Sequence, residues 1–130
     1  MSHARKWYNA RRARIDRDLV HQVALPGYMC TRDNLCIIHD FCKERFGELC
    51  ETRWVDTIWE DRHQERYLLH CFGRREQAEI FADHFGGEHF DPLRDRQKGK
   101  VEGPWLRKGP WLRIDRCGVL EIPDFWLRNP

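Results

Sequence analysis

Six cysteines and seven histidines are the residues of this chain best suited to metal binding or nucleophilic catalysis. Cys36, His39 and Cys42 have the spacing Cys-x2-His-x2-Cys, with Cys30 and Cys50 nearby. Thiolates and imidazoles are the ligands that Zn²⁺ selects. On one helix, however, Cys36 and Cys42 point about 120° apart, so the three side chains cannot surround one ion. We therefore predict no metal and no other cofactor, and six reduced thiols that are mostly buried as small apolar groups.

Cys71 is the candidate for a catalytic nucleophile, and His84 or His89 would then be its base. Its neighbour His70 cannot serve, because adjacent residues of a strand point to opposite faces of the sheet. Nothing close in sequence would activate the thiol, and the chain contains no phosphate-binding loop, nucleophile elbow or zinc-protease motif. We predict no catalytic residues, and a small cysteine- or metal-dependent enzyme is the alternative hypothesis.

Cations alternate with aromatic residues near both ends of the chain. The N-terminal members are Arg5, Lys6, Trp7, Tyr8, Arg11, Arg12 and Arg14. The C-terminal members are Trp105, Arg107, Lys108, Trp111 and Arg113. Such segments can neutralise phosphates and stack on bases, or they can pack on an acidic surface of the same protein. We take these residues as candidate contacts to a nucleic acid or another partner, and the packing alternative stays open.

The charge is unevenly distributed, although the whole chain has a formal net charge of only +2. Residues 1–17 have a net charge of +5, residues 18–90 of −6 and residues 91–130 of +3. An acidic body therefore lies between two basic ends. Such an asymmetry can steer the encounter with a charged partner.

Local patterns predict two helices and four strands in the middle of the chain. One helix begins near Thr31 and ends at Gly47, and a second contains residues 76–85; both have apolar side chains at helical spacing. Strands are predicted near residues 19–25, 53–60, 66–72 and 88–90. The order βαββαβ predicts an α+β ferredoxin-like sandwich, with two helices on an antiparallel sheet, and a C-terminal Trp-rich β-hairpin extension. The side chains expected to face the sheet are Phe46, Phe81 and Phe85.

We divide the chain into a basic N-terminal arm (1–17), an α+β core domain (18–91), a polar linker (92–102) and a C-terminal tail (103–130). The tail repeats one pentapeptide, because Gly103-Pro104-Trp105-Leu106-Arg107 recurs at residues 109–113. Residues 112–114 and 119–122 flank turn residues 115–118, which predicts a hairpin. We expect this hairpin to lie over the open face of the main sheet, where it would hide either Trp54 and Ile58 or Leu68 and Phe72.

The chain has no apolar run long enough to span a membrane and no apolar signal segment, so we expect a cytoplasmic protein without membrane contact. The leading hypothesis is a small non-enzymatic binding protein that engages a macromolecule. The partner is either another protein, bound as by an inhibitor or adaptor of the kind a phage or mobile element carries, or a nucleic acid bound through the basic aromatic ends. An open sheet face would favour a homodimer.

Overall fold

The computed structural model describes residues 3–96 and 103–123, with side chains from Lys6 onward. Its helices are α1 (His3–Asp18), α2 (Arg32–Phe46), α3 (Arg75–Phe85) and the short α4 (Pro92–Asp95), and a 3₁₀ turn covers Gly27–Met29. Its strands are β1 (His21–Pro26), β2 (Glu51–Trp59), β3 (Gln64–Phe72), β4 (Glu88–Phe90), β5 (Trp105–Arg107), β6 (Arg116–Cys117) and β7 (Leu120–Glu121). None of the helices in these ranges is long and apolar enough to cross a membrane.

The two predicted core helices and the four predicted core strands are confirmed within a few residues. α2 begins where the Thr31 side chain accepts a hydrogen bond from the backbone N–H of Asn34 at 3.4 Å. It ends at Gly47, whose φ of 77° is left-handed. A side chain with a Cβ is strained at such a φ, so glycine stops the helix there. Local capping chemistry is therefore enough to place α2.

The main sheet has the strand order β4-β1-β3-β2-β5. The strands β1 to β4 pair antiparallel, with Leu25 opposite Leu68 and Val55 opposite Tyr67. β5 instead pairs parallel with β2, so the sheet is mixed, and it curls into a half-barrel. The predicted ferredoxin-like sandwich of two helices on an antiparallel sheet is therefore wrong. The described chain has five strands in a mixed, curled sheet and four α-helices.

One reason that the ferredoxin-like prediction failed is that α1 covers the sheet face that α2 and α3 leave open. Ile15 of α1 is fully buried on this face, in a cluster with Val55 and Leu69. Burying a side chain of this size contributes about 1.5–3 kcal/mol. Most of the predicted N-terminal arm is thus a helix packed on the sheet. The open face on which the homodimer expectation rested is covered by α1, and oligomeric state itself stays a prediction.

The opposite face carries the second core, beneath α2 and α3. Phe81 and Phe85 of α3 are fully buried in it together with Phe72 of β3. Phe46 of α2 packs against the same cluster, with its ring centroid 5.7 Å from that of Phe72. These contacts confirm the predicted direction of the three phenylalanines.

The C-terminal hairpin forms between β6 and β7, with its turn at Gly118 and Val119 rather than at residues 115–118. Leu120 and Ile122 pack into the core beneath α2 and α3, so the expectation that the hairpin covers the open sheet face is wrong. The hairpin comes so close to α3 that a Cβ at Gly118 would lie 2.5 Å from the backbone carbon of Phe85. Residues 97–102 of the predicted linker and 124–130 of the tail lie outside the described residues.

Candidate anion-binding site and nucleic-acid interface

The N-terminal half of α1 presents two aromatic rings to solvent. Trp7 is 65% exposed and Tyr8 is 49% exposed, and their ring centroids are 6.3 Å apart in an edge-to-face arrangement. Lys6 beside them is also exposed. The side chain of Arg5 lies outside the described part of the chain. α1 therefore presents two exposed aromatic rings and an exposed cation near its beginning.

Two of the remaining predicted cations of α1, Arg11 and Arg14, are bound to the body of the protein. Arg11 Nη2 donates to the backbone oxygen of Thr52 at 3.1 Å, and Arg14 pairs with Glu51 at 2.7 Å. Arg12 donates to Asn9 and holds its guanidinium carbon 5.3 Å from the ring centroid of Tyr8. The packing alternative thus describes much of α1 correctly. It leaves the region around Tyr8 and Arg12 as the candidate for a ligand.

That region is a small cavity of about 90 Å³ beside residues 53–56 of β2, which we call the arginine pocket. It is lined by the cations Arg12, Arg53, Arg66 and Arg96 and by the aromatic residues Tyr8 and Trp54. Within the described ranges, Asp56 is the acidic residue of the lining. Its carboxylate is exposed and lies 3.6 Å from Arg66 Nε.

Periodicity explains how α1 and β2 bring Tyr8, Arg12 and Arg53 together. Tyr8, Arg12 and Asp16 are spaced four residues apart, so they form one stripe of the helix. On β2, Arg53 points to the same sheet face as the buried Val55 and Thr57, because alternate residues share a face. The stripe and the inward-pointing arginine therefore meet where α1 crosses β2.

Asp16 is the buried anchor of the pocket. Its Oδ2 accepts a hydrogen bond from Arg53 Nη1 at 2.7 Å and lies 3.4 Å from Arg96 Nε. Its Oδ1 accepts from Gln22 Nε2 at 3.2 Å. The Arg53 and Arg96 side chains are only 1% and 2% exposed, respectively. One carboxylate thus holds two buried guanidinium groups side by side.

Burial lowers the pKa of both arginines. Burial and the neighbouring charge of Arg96 lower the pKa of Arg53 to about 10, against the opposing attraction of Asp16. Burial also lowers the pKa of Arg96, although Asp16 partly compensates. A positive group with a lowered pKa is one whose charged form the surroundings stabilise incompletely.

The buried guanidinium of Arg96 makes few hydrogen bonds. Its Nη1 donates to the backbone oxygen of Gly103 at 3.4 Å, and its guanidinium carbon lies 4.9 Å from the ring centroid of Phe90. Among residues 3–96 and 103–123, its buried Nη2 has no hydrogen-bond partner. Buried polar groups are paired in the great majority of proteins, so such a donor needs an explanation.

The first tail repeat is occupied by internal contacts. Trp105 is 6% exposed and packs edge-to-face on Tyr67 and on Phe90. The guanidinium of Arg107 lies 3.9 Å from the Trp105 ring centroid and 4.3 Å from that of Trp59, and it pairs with Glu88. Both residues therefore stabilise the end of the sheet, and the Trp105 ring is not accessible for stacking on a base.

The second repeat lies at the β2–β3 turn, not on α1. The Trp111 ring stacks on His63 with centroids 3.9 Å apart, and its backbone N–H donates to Asp61 Oδ2 at 2.9 Å. Lys108 is exposed and Arg113 is half-buried. The structure thus does not bring the whole predicted set together. Tyr8 and Arg12 are the predicted residues that line the pocket.

The predicted cysteine–histidine pairs are not in contact. Cys71 is buried in the core beneath α1, where burial raises its thiol pKa and its Sγ donates to the Leu69 oxygen. His84 stacks on Phe41 on the opposite side of the sheet. His89 is exposed on β4. These positions give Cys71 neither predicted base.

A different cysteine–histidine pair is formed, between Cys50 Sγ and His70 Nδ1 at 3.8 Å. A hydrogen bond with Cys42, together with burial, raises the pKa of Cys50. Burial lowers the pKa of His70 to about 3. The Cys50 thiol therefore stays protonated and the His70 imidazole neutral near pH 7. Among residues 3–96 and 103–123, no group of three or more cysteine, histidine or acidic side chains could hold a metal ion.

Sequence reasoning missed Arg53, Trp54, Arg66 and Arg96 as site residues. A signal was present for Arg53, since it is a cation at an inward-facing position of a predicted strand. No such signal marks Arg96, which follows the short helix α4. Comparison of the chain with family models, with curated proteins and with solved structures found no match.

Proposed function

We propose that this protein is a non-enzymatic binding protein whose partner is a single-stranded nucleic acid, held by α1 and the arginine pocket. One observation carries the proposal. Two exposed aromatic rings, Trp7 and Tyr8, lie next to a cavity lined by four arginines. Proteins that bind single strands combine these two elements, because cations neutralise the phosphates while aromatic faces stack on bases.

The exposure of the rings favours a single strand over a duplex. Bases in a duplex are already stacked on each other, whereas those of a single strand are open to an aromatic side chain. Trp7 is on a helix that carries Lys6 beside it, and the Tyr8 ring contacts both Trp7 and the guanidinium of Arg12. A strand lying along α1 would therefore find cations and stacking faces in alternation.

The test is the affinity of the intact protein for a fluorescein-labelled single strand of about 12 nucleotides, measured by fluorescence anisotropy at several salt concentrations. The logarithm of the affinity should fall linearly with the logarithm of the salt concentration, by about 0.7 per phosphate neutralised. A duplex of the same sequence should bind more weakly. Deletion of residues 1–17 is not a suitable variant, because it would remove the buried Ile15.

The discriminating variant is Trp7→Ala. It should weaken the binding of the single strand by about 1–3 kcal/mol without changing the salt slope, because stacking does not release counterions. The matched control is Leu93→Ala, since Leu93 is 89% exposed on α4 and has no part in the proposed surface. Absence of salt-dependent binding to any strand at about 50 mM salt would refute the proposal. A protein partner would then be the remaining hypothesis, and its capture should be insensitive to nuclease.

A further inference from the structure

We propose that Cys42 and Cys50 form a redox-active thiol pair, which a peroxide converts to an intramolecular disulfide. Cys42 belongs to the core beneath α2 and α3, and Cys50 packs against the same core. This core lies on the sheet face opposite α1. The proposal goes beyond the proposed function and does not depend on strand binding.

The two thiols are in contact, although residues 43–49 separate them in the chain. Cys42 is fully buried on α2, and its sulfur accepts hydrogen bonds from the thiol and from the backbone N–H of Cys50. Cys50 Sγ also lies 3.8 Å from Nδ1 of the buried His70. The core therefore holds Cys42 in place, and Cys42 and His70 together hold the Cys50 sulfur beside it.

The contact between the thiols makes one of them more acidic. It lowers the pKa of Cys42, because the thiolate formed there keeps Cys50 as a hydrogen-bond donor. The same contact raises the pKa of Cys50, so the pair loses one proton more easily than a second. Burial raises the pKa of the Cys30 and Cys71 thiols instead. Because peroxides react with thiolates, the pair is the more reactive site in the core.

An oxidant reaches the pair through a cavity of about 220 Å³, which Cys50 lines together with Leu49, Glu51 and Phe72. This volume equals that of about seven water molecules, so hydrogen peroxide, which is little larger than water, fits into it. Cys50 is half-buried, whereas Cys42 is fully buried. Cys50 is therefore the sulfur that meets the oxidant, and Cys42 completes the disulfide.

The segment that joins the two cysteines has room to adjust. Residues 47–49 are exposed, and among the described residues no atom lies within 4 Å of the position that a Cβ would take at Gly47. A disulfide brings its two sulfur atoms to about 2.05 Å, closer than thiols in a hydrogen bond. A small movement of Cys50 towards α2 would close this difference without meeting packed side chains at the turn.

The reaction consumes one peroxide and releases two water molecules. With Cys42 ionised, the proton of Cys50 shifts to Cys42 through their hydrogen bond, and the Cys50 thiolate attacks one peroxide oxygen. The S–O bond forms while the O–O bond breaks, and the leaving hydroxide takes up the proton that the pair had released. The Cys42 sulfur then attacks the sulfenic acid of Cys50. The S–S bond forms, and the sulfenic oxygen leaves as water with the proton of Cys42. Two electrons have passed from the sulfurs to the peroxide, and a thiol reductant reverses the change.

The experiment treats the reduced, intact protein with about one equivalent of hydrogen peroxide and follows its mass. The mass should fall by about 2 Da, the mass of two hydrogen atoms, and should return with dithiothreitol. Trypsin leaves Cys50 on residues 46–53 and Cys42 with Cys36 on residues 33–43, so a link between these peptides locates the bond. The matched control is Cys36→Ser, since Cys36 is exposed on the same helix. It should retain both the mass loss and the link, which assigns the bond to Cys42.

Two variants and one measurement on the parent complete the test. Cys50→Ser changes a half-buried residue and should abolish the mass loss, because the peroxide then meets no thiol of the pair. Cys42→Ala should stop the reaction at the Cys50 sulfenic acid, which dimedone traps as a covalent adduct. In the parent, the disulfide should raise the thermal midpoint by about 5 °C, because it restricts the unfolded chain. This last measurement does not require a variant to fold.

Three outcomes would overturn the proposal. The first is a mass loss that persists in Cys50→Ser. The second is a link between Cys30 and Cys117, which pack in the same core. The third is oxidation of Cys36 in the parent, with no mass loss in Cys36→Ser. A fall of the thermal midpoint on oxidation would show that the folded chain does not accommodate the bond, and would likewise refute the pair.

Discussion

Asp16 lies between two buried guanidinium groups, and Asp16→Asn removes its charge while nearly preserving its volume. In the parent, Asp16 Oδ2 accepts from Arg53 at 2.7 Å and lies 3.4 Å from Arg96, and both arginine side chains are at most 2% exposed. Removing one partner of a buried ion pair costs about 3–5 kcal/mol, because the remaining charge is left uncompensated. Asp16 is 12% exposed, so we expect a loss near the lower limit, about 3 kcal/mol.

The free energy of unfolding is to be measured by urea denaturation at pH 7, in a buffer without phosphate or sulfate. The matched control is Glu51→Gln, which removes the carboxylate of the Arg14 pair. That pair is exposed and screened by solvent, so its loss should change stability little. The denaturant dependence of the unfolding free energy should be the same in all three proteins, since the folded surface is unchanged. If Asp16→Asn is no more destabilising than Glu51→Gln, Asp16 does not compensate Arg53 and Arg96.

Two further predictions concern the cores. Because burial holds the pKa of His70 at about 3 while the unfolded chain has an ordinary imidazole, the unfolded state alone gains a proton as the pH falls through 6.5. Between pH 7 and pH 5, this residue should therefore lower the free energy of unfolding by about 2 kcal/mol. In urea titrations, His70→Gln should lack this decrease, whereas the control His89→Gln should retain it. Identical pH profiles for His70→Gln and the parent would contradict the prediction. Gly118→Ala should lower the thermal midpoint clearly more than Gly47→Ala. Both glycines have left-handed φ, but only at Gly118 would the new Cβ meet backbone, that of Phe85 at 2.5 Å. Equal shifts in the two variants would refute the close packing of the hairpin on α3.

The local part of the fold follows from the sequence. Thr31 and Gly47 delimit α2 through hydrogen bonding and backbone conformation that involve only near neighbours. The strands β2 and β3 follow from runs of aromatic and β-branched residues separated by a short polar turn. The predicted fold nevertheless failed, because no local pattern shows that α1 covers the second face of the sheet or that β5 pairs parallel with β2.

The candidate site was predictable only in part, for the same reason. Tyr8 and Arg12 stand out as members of a basic aromatic segment, and both line the pocket. Arg53 is 41 residues from Arg12 in the chain, and its position beside Asp16 depends on how α1 crosses the sheet. Trp105, like Trp7, is a tryptophan in a basic aromatic segment. The Trp105 side chain is nevertheless buried among aromatic rings, whereas Trp7 is exposed.

The tail repeat shows where the boundary between local and tertiary information lies. The sequence by itself determined that Gly-Pro-Trp-Leu-Arg occurs twice, and identical residues have identical intrinsic preferences. In the first copy, Trp105–Arg107 form a strand paired with Thr57–Trp59. In the second copy, residues 111–113 form no strand, and Trp111 stacks on His63. Only the tertiary structure decided between these outcomes, because a strand needs an open edge of backbone donors and acceptors, and the edge of β2 accepts the first copy.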